Sequence, residues 1–495
     1  MADVLGFLDS RAHHEFDFTD GNIILESDSY KQSHPKQLPK RSRFVRSYLE
    51  PRGGPYADVI TYTGLNYYAK QMQRKVEPWM IDEAEEVLAL HMGPGIFDPT
   101  GWKRIVNVHG GYRPLRIRAV PEGLKIPIKN AMMTFENTDP ELPWLTNFNE
   151  TPLYPWYGYT VATLSNQCRQ IILKALIASG TPGDIDFKLQ DFGYRGATVM
   201  GQAAIGGSAH LASFKGTDTL PAIMFLRKHY GEKMAGFSIP ASEHSTVTSW
   251  MRDGRRQEGE TAAHRNMLYS YPTGLVACVS DSDDIYNTCE HIFGELLHDD
   301  VLKRDGVLVI RPDSGYPPEV VHKCLEILGK KFGFTVNAKG FKVLNPKVRI
   351  IQGDGVDPVM IDTVLAVMMI NGWSADNVAF GMGGALLQKV NRDTMMWATK
   401  CSEIDIDGTV YPVHKQPKTD SIKKSKTGNL TLVYDHSLDW YRTVDRTMLS
   451  DGPLVSPRMK QEVMRDIYVN GETFNLDSFA TIRERVAQYD LKETA

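Results

Sequence analysis

Between about residue 186 and residue 392 the chain repeats one pattern: a short apolar run, a polar or glycine-rich loop, then helical spacing. It reads "DFKLQ" then "DFGYRG", and "HLASF" then "KGTDT" and the helix-like "LPAIMFLRKHY". It recurs as "GFSI" then "PASEHS", and as "GLVACV" then "SDSDD" and "IYNTCEHIFGELL". "GVLVI" with "RPDSGYPP", "VRII" with "QGDGVDP", and "NVAF" with "GMGGALLQ" complete seven units. Continuous apolar strands alternating with helices predict a parallel sheet buried on both faces. Seven units in about 200 residues suit an irregular (β/α) barrel, with a doubly wound open sheet as the second choice. In both, ligands bind at the carboxyl ends of the strands, so these loops line one mouth.

The flanks have another period. "GGYRPLRIRAVPEGLKIPIKNAMMTFENT" and "GNLTLVYDHSLDWYRTV" alternate apolar and polar residues between turn signals, as antiparallel strands do. The expected fold is therefore α/β, an irregular barrel with a second, mostly β domain built from the N- and C-terminal parts. The expected boundaries are an N-terminal extension (1–20), a mixed, β-rich part (21–185), the barrel (186–400) and a return to the β-rich domain (401–495). "PKQLPKRSRFVRSYLEPRGGPY" (35–56) reads as a basic loop with one short strand, and "HKQPKTDSIKKSKTGN" (414–429) as a second basic loop.

Composition narrows the class. With 495 residues, 42% apolar and 23% charged, the chain suits a soluble globular protein of two or three units. A net charge of −4 argues against a dedicated nucleic-acid binder. Cys168, Cys278, Cys289, Cys324 and Cys401 form no CxxC pair, so neither a zinc site nor a disulfide framework is indicated, and free thiols fit a reducing cytoplasm. The first twenty residues do not read as a signal peptide, and no apolar run reaches membrane-spanning length.

The loops carry the chemistry. In "GMGG" (381–384), glycines between a strand and a helix start let backbone N–H groups approach a phosphate. "RPDSG" and "QGDGVD" place Asp313 and Asp354 just past strand ends, where carboxylates accept from sugar hydroxyls or hold hydrated Mg²⁺. Asp357, before Pro358, and Asp284 read as helix caps, while Asp281 is left for function. His244 shares the mouth, with a structural role as its alternative. "DFGYRG" offers Phe192 to stack on a flat ring, or to pack in the core, and Arg195 to pair with phosphate. Together these describe a phosphosugar site with a planar second substrate, without a nucleophilic triad, a Rossmann GxGxxG or a Walker loop.

"DSYK.SH", "ENTDPELPWLTNFNET", "DFGYRG", "FKGTDT", "EHST", "VSDSDDIYN", "IRPDSG", "IQGDGVD" and "GGALLQKVNRD" resemble, in order, the nicotinamide-using branch of the type II phosphoribosyltransferase family. The resemblance implies a homodimer with active sites at the subunit interface, joining nicotinamide to 5-phosphoribosyl 1-pyrophosphate with Mg²⁺. It places Phe192 and the partner copy's Tyr30 on the two faces of the nicotinamide ring, Asp218 and Arg311 at its carboxamide, and Arg195 near ring and phosphate. It assigns Asp313, Gly353 and Asp354 to ribose hydroxyls, and Gly383 and Gly384 to the 5′-phosphate. Arg52, Arg392 and Lys400 go to pyrophosphate, and Lys415 and Lys423 to a bound nucleotide. His244 matches the family histidine that ATP phosphorylates, with Asp281 fixing its tautomer. The sequence departs from the family at Ala398, Met382 and Ala277, where serines are usual; Met382 is expected to narrow the phosphate loop and Ala277 to line the space behind the ring. The nearest alternative is a nicotinate phosphoribosyltransferase; one of another class is a non-catalytic nucleotide-binding barrel.

Overall fold

The computed structural model describes residues 21–252, 254–415, 425–449 and 460–491. The expected extension 1–20 and Lys423 lie outside the described residues. The chain divides into two compact units, residues 1–156 with 392–477 and residues 157–391 with 478–495.

This division departs from the expected boundaries because each element goes with its partners rather than with its place in the sequence. From Tyr157 on, the helix Trp156–Ser179 belongs to the barrel unit, where Tyr157 donates to the Leu387 carbonyl (2.7 Å) and Arg169 pairs with Asp490 (2.7 Å). Helix Phe479–Ala487 also belongs there, its Arg483 donating to the Leu211 carbonyl (2.8 Å). Residues 392–400 go the other way, because the strand Trp397–Ile406 pairs antiparallel with Ser42–Pro51.

The barrel unit holds a six-stranded parallel sheet in the order Gly216–Thr217, Leu189–Asp191, Val378–Met382, Val348–Gln352, Asp305–Arg311, Thr273–Val279. A seventh segment joins its two edges. Phe237 bridges Gly216 on one side and Ala241 bridges Ala277 on the other, both in parallel sense. Main-chain bonds from Thr217 N–H to Phe237 (3.0 Å) and from Ala277 N–H to Pro240 (2.9 Å) secure it. The sheet thus curls into an irregular ring.

Two local expectations change. "HLASF", expected as a strand, is the end of helix Met200–His210 and the turn after it, and the strand is only Gly216–Thr217. A short apolar run does not by itself separate a buried strand from a buried helix end. "GFSI" bridges both edges without forming a regular strand. "IYNTCEHIFGELL" is helical, but Thr288–Leu296 is wound as a π-helix.

The other unit centres on a seven-stranded antiparallel sheet in which Ser42–Pro51 lies between Trp397–Ile406 and Met133–Asn137. Residues 35–56 are therefore not a loop with one short strand: ten of them form a strand paired on both sides. A smaller sheet holds the hairpin Leu430–Asp435 and Trp440–Asp445. Among the described residues no helix is long and apolar enough to cross a membrane.

Candidate active site

The strand ends of the barrel converge on Gly353. A Cβ at this glycine would stand 3.5 Å from Phe192 Cε2, 3.6 Å from Asp313 Oδ1 and 3.7 Å from Arg311 Cδ. Side chains expected at the ring, its carboxamide and the ribose are thus gathered around one backbone position. Phe192 follows strand Leu189–Asp191, and its N–H donates to the Met382 carbonyl (3.0 Å). Its ring lies over Gly381, where any Cβ would come within 2.0 Å of Cε2. Gly381 is therefore a buried strand residue that makes room for the ring, a role distinct from the phosphate cradle expected of "GMGG".

Below the ring lies a cavity of about 580 Å³, lined by Phe192, Asp218, Ser238, Arg311 and the inward residues Ala277, Val309, Ile351 and Ala379. Ala277 is thus in this wall, as expected. Two of the cavity's polar groups differ in kind: Arg311 can only donate, and a carboxylate at Asp218 can only accept. Asp218 is exposed to the cavity, and its Oδ1 accepts the Ser238 hydroxyl.

Behind it sits a residue that sequence reading missed. Asp191 is fully buried, its Oδ1 accepts the Gly193 N–H (2.8 Å), and its carbonyl accepts the Asp218 N–H (3.0 Å). Burial pushes the Asp191 carboxyl up to about 6, and the charge of Asp218 adds to the rise. Nothing in "DFGYRG" separates this aspartate from an ordinary strand end. Its burial and its neighbour come only from the fold.

His244 opens the five-residue helix His244–Thr248, which Glu243 and Thr246 cap reciprocally. Its Nε2 faces Asp313 Oδ2 (3.3 Å) and Asp281 Oδ1 (3.7 Å), while Nδ1 meets the Ser282 hydroxyl (3.0 Å). With two carboxylates on the Nε2 side, an Nε2–H tautomer would leave the Nδ1 lone pair to accept from Ser282. Asp281 Oδ2 also accepts the Asp313 N–H (3.2 Å) and the Ser314 hydroxyl, so Asp281 ties the histidine to the loop carrying Asp313. Asp284 accepts from Tyr286 N–H and Asp357 from Met360 N–H (both 2.9 Å), so both cap helices.

Asp354 is exposed, and its carbonyl accepts from the Gln352 amide (2.8 Å). Gly383 lies near the Phe192 carbonyl, and Gly384, with open space around it, starts the short helix Gly384–Leu387. Arg195 is exposed in the turn Tyr194–Gly196, whose Gly196 faces Gly384. Met382 is fully buried, on the face of its strand opposite Ala379 and Gly381. Since those two face the cavity and the ring, Met382 points into the core and does not narrow the loop.

The other residues belong to the β-rich unit. Burial depresses the Lys400 ammonium, and the charges of Arg52 and Lys415 push it the same way, against Glu150 and Glu50. Arg52, Lys400 and Lys415 thus share one neighbourhood. Arg392 is exposed and held by Asp393 (2.6 Å). Ala398 is buried opposite Glu50 in the strand pairing. Tyr30 stands in the 3₁₀ helix Ser29–Lys36 with 58% of its surface exposed, its ring edge-on to His34. Among the described residues no group of three or more His, Cys, Asp or Glu side chains forms a metal cage.

Residues 187–472 match the nicotinate phosphoribosyltransferase (NAPRTase) family, and residues 22–117 match the nicotinamide phosphoribosyltransferase N-terminal domain. A protein of Xanthomonas campestris pv. campestris named nicotinamide phosphoribosyltransferase is 47% identical over 428 residues, 85% of this chain and 90% of that protein. One of the same name from Acinetobacter baylyi is 28% identical over 511 residues, 94% of this chain and 97% of that protein. Among solved structures, nicotinate-nucleotide pyrophosphorylase from Pyrococcus furiosus is similar with a TM-score of 0.61 at 14% identity, covering 96% of this chain and 97% of that one. Human nicotinic acid phosphoribosyltransferase is similar with a TM-score of 0.55 at 14% identity, covering 93% of each chain. At such identities the two structures speak for the fold alone.

Proposed function

The chain belongs to the nicotinate phosphoribosyltransferase family and is a phosphoribosyltransferase of NAD salvage, and from that premise we propose that it transfers the 5-phosphoribosyl group from 5-phosphoribosyl 1-pyrophosphate to nicotinamide, giving nicotinamide mononucleotide and pyrophosphate. The observation that carries this reading is the grouping of Phe192, Arg311 and Asp313 about Gly353, above a cavity whose wall also presents Asp218. A primary carboxamide has an acceptor oxygen and a donor NH₂. Arg311 supplies the donor for the first, and Asp218 the acceptor for the second. Nicotinate would set a carboxylate against Asp218, a like-charge contact that costs several kcal/mol.

The pyridine nitrogen brings its own lone pair and needs no general base. It forms the bond to ribosyl C1 as the C1–O bond to pyrophosphate breaks and both electrons leave with pyrophosphate. Positioning and charge stabilisation therefore carry the rate. In this reading Phe192 stacks on the ring, and Tyr30 of a second copy covers the other face. Asp313, Gly353 and Asp354 hold ribose hydroxyls, Gly383, Gly384 and Arg195 hold the 5′-phosphate, and Arg52, Arg392 and Lys400 hold pyrophosphate. Asp313 or Asp354 would hold a Mg²⁺ ion, which would neutralise phosphate charge when bound.

ATP coupling is part of the proposal. His244 would take the γ-phosphoryl group on Nδ1 as ADP leaves, with Nε2 facing Asp313 and, farther off, Asp281. Lys415 would meet the nucleotide. The deciding assay is mononucleotide formation from nicotinamide and from nicotinate, each with and without ATP. Product from nicotinamide is expected, increased by ATP; no product from either substrate would overturn the reading. Label transfer from γ-labelled ATP to the native protein but not to His244→Ala checks the coupling, and an unlabelled native protein refutes it.

A further inference from the structure

We infer that Ser238 is a second specificity determinant, working as a hydrogen-bond acceptor because Asp218 has claimed its only proton. This inference rests on the nicotinamide reading above and adds a residue to it.

The barrel closure supplies the geometry. Phe237 N–H donates to the Lys215 carbonyl (2.8 Å), and Thr217 N–H donates to the Phe237 carbonyl (3.0 Å). This register sets Ser238 beside Asp218 although they are twenty positions apart. Both line the cavity. A carboxylate can only accept, so the bond between them runs from the Ser238 hydroxyl to Asp218 Oδ1.

A serine hydroxyl has one proton and two lone pairs. With the proton spent on Asp218, Ser238 Oγ can offer only lone pairs to a ligand. Asp218 Oδ2, which has no partner among the described residues, offers the same. The wall therefore presents two acceptors side by side. A carboxamide NH₂ has two N–H donors to meet them, whereas a carboxylate has none. Alone, a serine at this place would serve either ligand, since it could donate as readily as accept. The aspartate changes the sign of its neighbour.

That change of sign is measurable. In Asp218→Asn, the asparagine amide can turn its NH₂ towards Ser238, which accepts and frees its proton for a carboxylate ligand. Ser238 should therefore hinder or ignore nicotinate in the native protein and assist it in Asp218→Asn. The experiment is a cycle of native, Ser238→Ala, Asp218→Asn and the double variant, with kcat/KM for each pyridine and calorimetric Kd for each free pyridine. In the native background, Ser238→Ala should lower nicotinamide kcat/KM about tenfold, the effect of one hydrogen bond, and leave nicotinate use unchanged or higher. In Asp218→Asn, the same substitution should lower nicotinate binding and use about tenfold. If a variant turns over neither substrate, the binding constants decide.

An effect of Ser238→Ala on nicotinate with the same sign in both backgrounds, or with no size in either, overturns the inference. A native enzyme that uses nicotinamide and rejects nicotinate, together with that result, would refute only the role of Ser238. A native enzyme that uses neither would refute the reading beneath it.

Discussion

Gly381→Ala puts the stacking platform to a steric test. Gly381 has no positive φ, so alanine can adopt its backbone, and only space is at issue. The new Cβ would stand 2.0 Å from Phe192 Cε2, 2.3 Å from Cδ2 and 2.8 Å from Cζ, where ordinary contact begins at 3.4 Å. Something must move by more than an ångström. The strand cannot, because Val378–Met382 is paired in parallel on both sides, with Ile350–Gln352 and with Leu189–Asp191. The Phe192 ring must therefore leave its place. Overpacking of this kind costs about 1–3 kcal/mol of stability, and displacing the ring removes a stacking contact of about 0.5–1.5 kcal/mol. At about 1.4 kcal/mol per factor of ten, the second figure predicts a roughly two- to twelvefold weaker Kd for nicotinamide. Calorimetry on native, Gly381→Ala, Phe192→Ala and the double variant isolates the effect. With the ring already absent, Gly381→Ala should change nicotinamide binding by less than about twofold, since the three atoms nearest the new Cβ are all in that ring. An unchanged Kd in the single variant, or the same loss in both backgrounds, would refute the ring's position over Gly381.

Three further outcomes follow from the same geometry. Because the folded-state carboxyl of Asp191 is raised from 3.8 to about 6, the folded protein binds the extra proton between those values; its stability cost is absent below 3.8, grows as pH rises and is complete above about 6. Urea unfolding of Asp191→Asn against native at pH 4 and pH 8 should show the variant gaining up to about 3 kcal/mol on the native protein over that range; a pH-independent difference would refute the shift. Arg483 donates to the Leu211, Phe214 and Ala235 carbonyls, just before the two segments that bear Asp218 and Ser238, so Arg483→Leu should cost about 2–4 kcal/mol in thermal unfolding and lower the preference for nicotinamide, whereas stability loss alone would leave it a structural clamp. Asp281→Ala should abolish label transfer to His244, and Asp281→Asn, which keeps one acceptor for the Asp313 N–H, should retain a measurable part of it.

What was legible in the sequence depended on the range of the physics involved. Parallel strands show as apolar runs, and the loops after them show as charge and glycine, so the barrel and the loops after its strands could be found by local pattern. Asp357 and Asp284 could be read as caps because a cap acts within three residues. Ser238 could not be read, because "GFSI" gives its hydroxyl no meaning until Phe237 pairs with Gly216. Asp191 was hidden for the same reason, and so was the part of helix Phe479–Ala487, whose Arg483 braces segments more than 240 positions earlier. The ten-residue strand Ser42–Pro51 was read as one short strand in a basic loop because the prolines and basic residues of 35–56 are local signals, while the strand's two partners are distant.

The composition of the inner strand faces explains why this ring holds a cavity at all. Parallel barrels ordinarily fill their interior with bulky branched side chains in layers. Here the inward positions include Ala277, Ala379 and Gly381, alternating with outward Cys278, Phe380 and Met382, all buried. In each of these three pairs the larger side chain goes to the helix layer and the smaller one inside. Val309 and Ile351 keep an apolar wall on the inner face, joined by Phe192 and Ile239. An interior built this way forgoes dispersion contacts that a packed barrel would make. The helix-facing side must then carry the stability, while the inner side leaves the cavity open. This separation also explains the polar placement. Asp218, Ser238 and Arg311 are polar groups that line the same cavity as that apolar wall, and in the proposed reading they meet the ring's substituent rather than the ring.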